Sequence, residues 1–353
     1  MLGQGFMGRA HSNAFHQTGH FFDSPYEIRL NVICGRDRST LQHTAAQWGW
    51  EEIETDWRVV VERKDVDVVD IALPNALHAP VALAAAQAGK IVLCENPLAI
   101  SLDEAEQMAN GARNVPNLVW FNYRRVPAIK FAKQLIEEGR IGQVFHYRAL
   151  YLQQWGHDPA RTDAWRFKAA EAGTGAVGDL LAHSIDLAFY LNGRITNLSA
   201  ASQTFAKDRE VDDAVMLLAH FKNGSIGTFE ERRFAIGCSN RNAFEINGSK
   251  GMLRFNLEDM NRLEFYDATD PANLRGGRNM LITGPEHPYS DNYWPPGHII
   301  GYEHTFVATL ADFLSCLAGQ KAFHPNFEDG LNVQRALAAV VQSSKQRDWI
   351  ALQ

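Results

Sequence analysis

The feature that most constrains the fold is an alternation of short apolar runs with helical patterns between residues 29 and 121. Strand-like runs, rich in β-branched residues, lie at Arg29–Cys34, Asp67–Ala72, Ile91–Cys94 and Leu118–Phe121. Helical patterns separate them, at Ser39–Trp48, Trp57–Val61, Ala79–Ala88 and Leu102–Ala112. Parallel strands need a crossover of this kind between them, usually a helix. The alternation therefore predicts an α/β fold with a doubly wound parallel sheet.

A glycine-rich turn, Gly3-Gln4-Gly5-Phe6-Met7-Gly8, opens the first helical pattern. In a dinucleotide-binding turn of the form G-x-G-x-x-G, the first glycine makes the turn and the second lets the backbone approach the pyrophosphate. The third lets the helix pack closely on a strand, and the phosphates bind the free N–H groups of the helix N-terminus. This interpretation makes cofactor contacts of Gly3, Gly5, Phe6, Met7 and Gly8. An ordinary glycine turn is the alternative, and the strands and helices that follow favour the dinucleotide.

The residues after the second strand of such a fold bear on which dinucleotide binds. An acidic residue there usually holds the ribose 2′-hydroxyl of NAD, but this chain has Gly35 followed by Arg36 and Asp37. A guanidinium pairs well with a phosphate, so Arg36 slightly favours NADP. NAD stays an alternative, with Asp37 or the backbone on the ribose and Arg36 stacked on the adenine.

The start of the chain is short for this fold, because only Met1 and Leu2 precede the glycine turn. A strand of about five apolar residues should stand there. We therefore expect the natural protein to begin upstream, and an export signal could belong to that missing part.

Beyond residue 122 the pattern changes to consecutive strands. Strand-like runs lie at Gln143–Gln154, Leu198–Phe205, Ala214–Phe221, Ser225–Arg233, Arg241–Asn247, Gly251–Phe255 and Leu263–Tyr266. Asn223-Gly224 and Asn247-Gly248 are typical of hairpin turns, so these runs predict a large, mostly antiparallel sheet. Helices are predicted at Ala128–Glu138, Gly178–Leu191, Glu303–Leu317 and Glu328–Ser344. A long loop is predicted over residues 270–300.

These patterns divide the chain into two predicted domains. Residues 1–122 form a dinucleotide-binding Rossmann domain. Residues 123–353 form an α+β domain for substrate binding and oligomerisation, whose last helices are expected to pack back on the first domain.

The bulk composition excludes several classes of function. The net charge is −7 and no Lys/Arg-rich run occurs, which argues against a nucleic-acid partner. No stretch of about 18 apolar residues is present, so no membrane span is expected. The four cysteines are far apart and lack metal spacing, which predicts free thiols in a reducing compartment, the cytoplasm, and no metal ion.

Three polar motifs carry the candidate chemistry. Glu95-Asn96-Pro97 follows an apolar strand, and ligands bind at the carboxyl ends of parallel strands. Asp179 and His183 are four residues apart, which places them on one face of a helix. Asn122-Tyr123-Arg124-Arg125 stands at the domain junction. Alone, His183 could be a core histidine and Asp179 a helix cap.

Taken together, these motifs resemble the Gfo/Idh/MocA oxidoreductases, the family of glucose-fructose oxidoreductase and inositol dehydrogenase. The resemblance covers nearly the whole chain, at Gly3–Gly8, Pro74–His78, Glu95–Pro97, Asn122–Arg124, Gly178–Leu187 and Val211–Phe229. Tyr151–Trp155 and Gly284–Tyr289 look most like the same segments of levoglucosan dehydrogenase and related sugar dehydrogenases.

The resemblance implies reversible hydride transfer between a carbon of a sugar or polyol and C4 of a nicotinamide. It implies that His183 is the general acid or base and that Asp179 orients the substrate or His183. The family commonly forms dimers or tetramers through its antiparallel sheet, so a homo-oligomer is expected. Further cofactor contacts are implied for Pro74, Asn75, His78, Glu95 and Pro97.

This chain departs from the family at one position. The family has a lysine in a Glu-Lys-Pro turn, whose charge stabilises the reacting oxygen, but here the residue is Asn96, a neutral donor. Three explanations stay open: an introduced substitution that slows turnover, a natural variant that works through His183, and a protein that has lost activity and senses a sugar or cofactor.

A sugar pocket needs planar hydrogen-bonding groups and aromatic faces. By position, Tyr123, Gln153, Trp165 and Arg166 are candidates to bind the sugar. His287 is a further candidate, in an aromatic-rich loop over residues 284–298 of a kind that is often functional. Packing at a subunit interface is the alternative role for that loop.

Sugar dehydrogenase is the leading hypothesis, and two other functions compete with it. A glycoside hydrolase could oxidise and re-reduce its sugar around elimination of the glycosidic bond, with no net cofactor turnover. A non-catalytic sensor would bind a sugar or cofactor without transferring hydrogen, and Asn96 keeps that hypothesis open.

Overall fold

The computed structural model describes residues 1–158, 165–207 and 209–352. Its backbone forms two compact units, each built from two segments of the chain. The first unit comprises Met1–Asn122 and Tyr302–Gln334, and the second comprises Tyr123–Gly301 and Arg335–Gln353.

Short strands and helices alternate through Met1–Asn122. The strands are β1 (Val32–Cys34), β2 (Glu52–Glu54), β3 (Val68–Ile71), β4 (Ile91–Cys94) and β5 (Asn117–Val119). The helices are α1 (Phe6–Phe21), α2 (Arg38–Trp48), α3 (Trp57–Glu62), α4 (His78–Gln87) and α5 (Leu102–Gly111). The predicted strands and helices are confirmed, mostly with narrower strand limits. β2 is additional, because its short Glu-Ile-Glu sequence lacks the apolar run that indicates a strand.

The strands of the first unit pair in parallel. β1 pairs with β2, and β3, β4 and β5 pair in sequence. Leu2 forms parallel bridges both to Cys34 in β1 and to Ile71 in β3. Leu2 therefore holds the strand position between β1 and β3, where the sequence led us to expect a longer strand. The predicted doubly wound parallel sheet is confirmed.

The described part of the second unit is built on a nine-stranded sheet. Its strands are β6 (Val144–Leu152), β7 (Ile195–Gln203), β8 (Ala214–Phe221), β9 (Ile226–Arg232), β10 (Arg241–Gly248), β11 (Gly251–Asn256), β12 (Arg262–Asp267), β13 (Gly277–Leu281) and β14 (Ile350–Ala351). The order across the sheet is β13-β12-β11-β10-β6-β9-β8-β7-β14. All neighbours are antiparallel except β6 and β9, which are parallel. The predicted large, mostly antiparallel sheet is confirmed.

Two local predictions in this sheet are wrong. Residues 270–300 are not all loop, because β13 pairs with β12; its side chains are largely exposed, so the apolar signal of a strand is missing. The turn between β10 and β11 lies at Ser249-Lys250, because Asn247 still pairs with Met252. The turn predicted at Asn223-Gly224 is confirmed between β8 and β9, and Gly224 has a φ of +87°.

The helices of the second unit are α6 (Pro127–Glu137), α7 (Ala169–Ala172) and α8 (Ala182–Leu191). A five-residue π-helix, Val177–Leu181, runs directly into α8. The single helix predicted over Gly178–Leu191 is therefore wrong in its first turn. The Asp212 carboxylate fixes the start of the π-helix, because it accepts hydrogen bonds from the backbone N–H groups of Gly175 (2.7 Å) and Val177 (2.9 Å).

Among the described residues, helices pack on one face of this sheet, and the other face, which we call the open face, is exposed along β8. α6 packs on β11 and β12, and α8 packs on β6. Burial alternates along β8, as expected for a strand with one face in water. On the open face, Met216 and Leu218 keep 50% and 53% of their surface exposed. Apolar side chains therefore stand on the open face.

Two long helices close the chain. α9 (Tyr302–Ala318) packs along α1 within the first unit. α10 (Phe327–Gln346) begins in the first unit and ends in the second, where the Ser343 hydroxyl accepts a hydrogen bond from the Ala200 backbone N–H at 2.9 Å. Both predicted helices are confirmed. Within residues 1–158, 165–207 and 209–352, no helix is both long and apolar enough to cross a bilayer.

Candidate functional site

The glycine turn shapes the start of α1. Gly3 has a φ of +114°, and a Cβ there would lie 2.2 Å from the Ala72 carbonyl oxygen. A Cβ on Gly8 would lie 2.3 Å from the Gly3 carbonyl oxygen. Gly5 is the N-cap of α1, and a Cβ on it would meet nothing within 4 Å. The backbone is therefore tightly packed at Gly3 and Gly8 and open at Gly5.

The first turn of α1 has the chemistry of an anion site. The backbone N–H groups of Phe6, Met7 and Gly8 have no helical partners, and no side chain caps this end of the helix. The first turn also carries no acidic residue, so the positive end of the helix dipole is not neutralised. The Phe6 side chain is 60% exposed and stacks on Tyr302, with 6.1 Å between ring centroids. These residues fit the diphosphate of a dinucleotide.

The segment after β1 offers a guanidinium and a partly engaged carboxylate. Asp37 caps α2, and its Oδ1 accepts hydrogen bonds from the Thr40 backbone N–H (2.6 Å) and the Ser39 hydroxyl (2.8 Å). These bonds lower the pKa of Asp37 to about 2. Arg36 is exposed, and Gly35 beside it is half-buried. Of the two charged side chains, Arg36 is the freer to meet a ligand.

His78 ties together the loops that follow β3 and β4. Its Nδ1 lies 3.0 Å from the Pro97 carbonyl oxygen and its Nε2 lies 3.0 Å from the Leu73 carbonyl oxygen. The side chain is fully buried, and burial lowers the pKa of His78. Pro74 and the buried Asn75 lie between Leu73 and His78. The structure thus brings the Pro74–His78 segment to the backbone of Pro97.

A closed ring of hydrogen bonds, which the sequence did not indicate, underlies the Glu95–Pro97 turn. The two nitrogens of His11 lie 2.9 Å from Asp70 Oδ2 and 2.9 Å from Glu95 Oε1. The second Glu95 oxygen accepts from the backbone N–H of Asn96 (3.0 Å) and from its Nδ2 (3.1 Å). Asn96 Nδ2 also donates to the Trp120 carbonyl oxygen (3.0 Å), and Trp120 Nε1 donates to Asp70 Oδ1 (2.9 Å). We call these five residues the hydrogen-bond ring.

The hydrogen-bond ring holds a buried positive charge. His11 is fully buried, which disfavours its charged form, but Asp70 and Glu95 outweigh burial and raise the pKa of His11 to about 9. The imidazole also stacks on Trp120, with 4.3 Å between ring centroids. At neutral pH His11 is therefore an imidazolium that donates to both carboxylates.

The orientation of the Asn96 amide follows from its neighbours. Its Nδ2 faces a carboxylate oxygen of Glu95 and the carbonyl oxygen of Trp120. Both groups are acceptors, so the nitrogen and not the oxygen must face them. Both N–H bonds of Asn96 are therefore used inside the first unit.

In the second unit, His183 lies in the first turn of α8 between two tyrosines. Its ring centroid is 4.7 Å from that of Tyr123 and 6.0 Å from that of Tyr151. The two tyrosine hydroxyls are 3.1 Å apart, and that of Tyr151 donates to Asn240 Oδ1 at 2.9 Å. The same oxygen accepts from Gln153 Nε2 at 2.6 Å. The structure thus brings Tyr123, Gln153 and His183 together and adds Asn240, which the sequence did not indicate.

Asp179 is held by two arginines beside this group. Its carboxylate lies 3.0 Å from Arg233 and 3.6 Å from Arg166. Burial opposes ionisation of Asp179, but Arg233, Arg166 and His183 outweigh it and lower the pKa of Asp179. The Arg166 guanidinium lies over the Trp165 ring at 4.4 Å. The sequence analysis did not predict Arg233, which is buried with 1% of its surface exposed. Nothing in the sequence distinguishes a buried arginine at the end of a strand from an exposed one.

His287 is positioned by its own loop and by α6. Its Nδ1 accepts a hydrogen bond from the Gly284 backbone N–H at 3.2 Å, and its ring packs edge-on against Phe131 at 5.1 Å.

The part of the chain that the structure describes contains no group of three or more His, Cys, Asp or Glu side chains suited to a metal ion.

Known proteins match both units of this chain. Residues 1–123 match the family described as "Oxidoreductase family, NAD-binding Rossmann fold", and residues 129–254 match the "GFO/IDH/MocA C-terminal domain". Levoglucosan dehydrogenase of Pseudarthrobacter phenanthrenivorans is 38% identical over 377 residues, which cover 99% of this chain and 96% of that protein. D-apiose dehydrogenase of Paraburkholderia graminis is 26% identical and covers 88% of this chain and 79% of its own length.

Solved structures match over the whole chain. An oxidoreductase domain protein from Kribbella flavida has a TM-score of 0.97 and 46% identity, and covers 100% of this chain and 98% of its own. Levoglucosan dehydrogenase in complex with NADH and levoglucosan has a TM-score of 0.96 and 38% identity, with coverage of 100% and 98%. On the two family matches and the full-length likeness to these relatives, the chain belongs to the Gfo/Idh/MocA family of oxidoreductases, with an NAD-binding Rossmann fold in its first unit.

Proposed function

We propose that the protein is a nicotinamide-dependent sugar dehydrogenase that oxidises a hydroxyl-bearing carbon of a sugar or polyol. The observation that carries the proposal is the start of α1, where Gly5 leaves space beside uncapped backbone N–H groups. Relatives support the substrate class, since one has been solved with NADH and levoglucosan and another is a D-apiose dehydrogenase.

The reaction needs a proton acceptor from the chain. The nicotinamide, when bound, accepts a hydride at its C4. The sugar carbon that loses this hydride becomes a carbonyl carbon, and its hydroxyl proton must leave. In our proposal His183 takes that proton, because a neutral imidazole is a suitable base near neutral pH. The ionised Asp179 stabilises the imidazolium that forms, and the reverse reaction returns the proton.

We assign the cofactor to the first unit. The N–H groups of Phe6, Met7 and Gly8 would hold the diphosphate. The segments Pro74–His78 and Glu95–Pro97 follow β3 and β4, and the carboxyl ends of parallel strands are where open α/β sheets bind ligands. His78 would act through the backbone, since its own ring is buried.

We assign the sugar to side chains near His183. Tyr123 and Gln153 offer hydroxyl and amide groups, and Trp165 with Arg166 offers a flat aromatic and cationic face. His287 is proposed as a further contact, because its half-buried ring keeps Nε2 without a described partner. A ligand recognised in this way carries several hydroxyl groups.

Arg36 is proposed to decide between NAD and NADP. Asp37 is partly committed to capping α2, whereas the Arg36 guanidinium is exposed and suited to a 2′-phosphate. We therefore propose that the protein accepts NADP and slightly prefers it. Because a relative has been solved with NADH, every assay should compare NADP with NAD.

The test is the appearance of NAD(P)H when the protein is mixed with each oxidised cofactor and a panel of sugars that includes levoglucosan. We expect reduction with at least one sugar, and a loss of about 10² to 10⁴ in rate for His183→Asn. An absence of reduction both in this chain and in Asn96→Lys would contradict the proposal.

Asn96 favours one other candidate function, a sensor that binds sugar or cofactor without turnover. With both N–H bonds of Asn96 engaged, residue 96 offers no donor to a reacting oxygen. A sensor would bind the cofactor yet exchange no deuterium between a labelled sugar and the nicotinamide. A dehydrogenase would exchange it.

We also propose that the open face of the nine-stranded sheet joins copies of this chain. Met216 and Leu218 expose half of their surface there, and exposed apolar patches mark interaction sites. Light scattering should therefore detect an oligomer that Leu218→Lys dissociates. Leu274→Lys, at a loop position with 70% exposure, is the matched control. A monomeric parent protein would rule this out.

We place the protein in a reducing compartment such as the cytoplasm. All four cysteines are free, and Cys34 and Cys94 are buried thiols. Fractionation of the cells that produce the protein would test this, and recovery outside the cytoplasm would contradict it.

A further inference from the structure

We infer that His11 is a positioning residue for this site, and that it holds the Glu95–Pro97 turn by closing the hydrogen-bond ring as an imidazolium that donates in two directions. The link to cofactor binding rests on the proposed function, whereas the ring itself rests on contacts within the first unit.

The geometry gives each ring nitrogen its own carboxylate acceptor. Each nitrogen of His11 lies 2.9 Å from a different carboxylate, and a neutral imidazole has only one N–H. Asp70 and Glu95 are 1% and 7% exposed, so water cannot replace a missing donor easily. One carboxylate would therefore face a nitrogen lone pair if His11 were neutral.

The surroundings of His11 contain no competing cation in contact with it among the described residues. Asp70 faces it from β3 and Glu95 from the end of β4, while the uncharged rings of Trp120 and Phe306 cover it. One more titratable group lies near the carboxylates. Burial raises the pKa of the Cys94 thiol well above its usual range, so this thiol is neutral at pH 7.5.

His11 thus controls the carboxylate at the base of the turn. Glu95 Oε1 is held by His11, and Oε2 is held by the backbone and side chain of Asn96. Without the imidazolium, either Glu95 Oε1 or Asp70 Oδ2 loses its donor, and both carboxylates lose the positive charge between them. The turn that presents Asn96 and Pro97 would then lose its fixed position.

The first experiment reads the His11 imidazolium directly, in the wild-type protein without cofactor. Nitrogen-15 NMR of labelled histidines, with the His11 signals assigned by their loss in His11→Asn, should show both nitrogens protonated at pH 7.5 and a proton lost near pH 9. A ring that is already neutral at pH 7.5 would overturn the inference, and His11→Gln serves for the assignment if His11→Asn does not fold.

The second experiment measures cofactor affinity from pH 6 to pH 10. Wild-type affinity should fall as His11 loses its proton near pH 9, and His11→Asn should bind about tenfold more weakly at pH 7.5. In Asp70→Asn the new amide can donate to Nδ1 and leave Nε2–H for Glu95, so the alkaline fall should disappear. His20→Asn, at an exposed histidine of the same helix, is the matched control.

The outcomes separate the two proposals. If the wild type binds neither NAD nor NADP, the proposed function fails and the NMR titration alone decides the role of His11. If the wild type binds and a folded His11→Asn binds within about twofold of it, the inference about His11 fails and the proposed function stands.

Discussion

Residue 96 sets how many hydrogen-bond donors the Glu95–Pro97 turn can offer to a ligand. Asn96 uses both N–H bonds on Glu95 and on the Trp120 carbonyl. A lysine could donate to the same two acceptors and keep a third N–H, because an ammonium has three donors. It would also add a positive charge where the family's chemistry develops a negative one.

Asn96→Lys should raise the turnover number, by about tenfold or more, since one such donor is often worth 10² to 10³ in rate. Cofactor affinity should change little, because the two existing hydrogen bonds can be kept. Asn96→Met, which has no donor, is the control and should weaken cofactor binding. Steady-state rates with a saturating sugar would test this, and an unchanged or lower rate for Asn96→Lys would show that position 96 does not face the reacting oxygen.

Arg36→Gln should separate the two cofactors. The exposed guanidinium can pair with a 2′-phosphate in a bidentate geometry that glutamine cannot reproduce. We expect the KM for NADP to rise about tenfold while the KM for NAD stays within about twofold. Equal effects on both cofactors would instead indicate that Arg36 stacks on the adenine.

Part of the candidate site was predicted from motifs of fixed spacing. Gly3, Gly5 and Gly8 have the spacing of a tight turn before a helix, and Asp179 and His183 are four residues apart in the sequence. His11, Asp70 and Trp120 meet only because three segments of the chain converge. No local sequence pattern predicts such a long-range contact. A single histidine in a helix more often packs in the core than serves a functional site.

At the scale of single elements, sequence periodicity could not predict the π-helix Val177–Leu181. An apolar pattern of this length fits an α-helix equally well, and the wider turn depends on a carboxylate from a distant segment. Asp212 supplies it through two backbone hydrogen bonds. Wider turns of this kind often occur at functional sites, and here one carries Asp179 just before α8. β13 was not predicted either, because its residues are largely exposed and lack the apolar pattern of a strand.

Asp212→Ala should loosen the π-helix and lower both stability and turnover. Loss of a capping carboxylate typically costs about 1 to 2 kcal/mol of unfolding free energy, and the displaced Asp179 should lower kcat more than it lowers cofactor affinity. Asp212→Asn keeps one acceptor oxygen, so its stability and turnover should lie between those of the wild type and of Asp212→Ala. Urea unfolding and steady-state kinetics on all three proteins would test this, and equal behaviour of the alanine and asparagine variants would argue against the capping role.

At the scale of the whole molecule, one buried carboxyl group should make the protein less stable as the pH rises above the acid range. Glu231 is fully buried in the second unit, and burial raises its pKa well above the usual range, although the Ser184 hydroxyl partly opposes the shift. The folded protein therefore keeps this proton, while the unfolded chain releases it above the ordinary glutamate pKa of 4.5. The stability that protonated Glu231 provides is complete below that pH and is lost as the pH rises towards the raised pKa.

Glu231→Gln should stabilise the protein at neutral pH, because glutamine keeps the shape of a protonated glutamate and has no proton to lose. The gain should grow by about 1.4 kcal/mol for each pH unit above the unfolded pKa until the raised pKa is reached. Urea unfolding at several pH values should show a gain that disappears near pH 4.5. Glu230→Gln, at the partly exposed neighbour, should change stability by less than about 0.5 kcal/mol. A pH-independent difference between Glu231→Gln and the wild type would contradict the buried-acid explanation.

The hydrogen-bond ring has a consequence for how this family can diverge. Its five members come from four stretches of chain, and replacing one alone leaves a buried polar atom unpaired. Homologous sequences should therefore covary here: a relative without a cation at position 11 should also lack an anion at position 70 or 95. Natural drift should conserve the local balance of charge before it conserves any single amino acid.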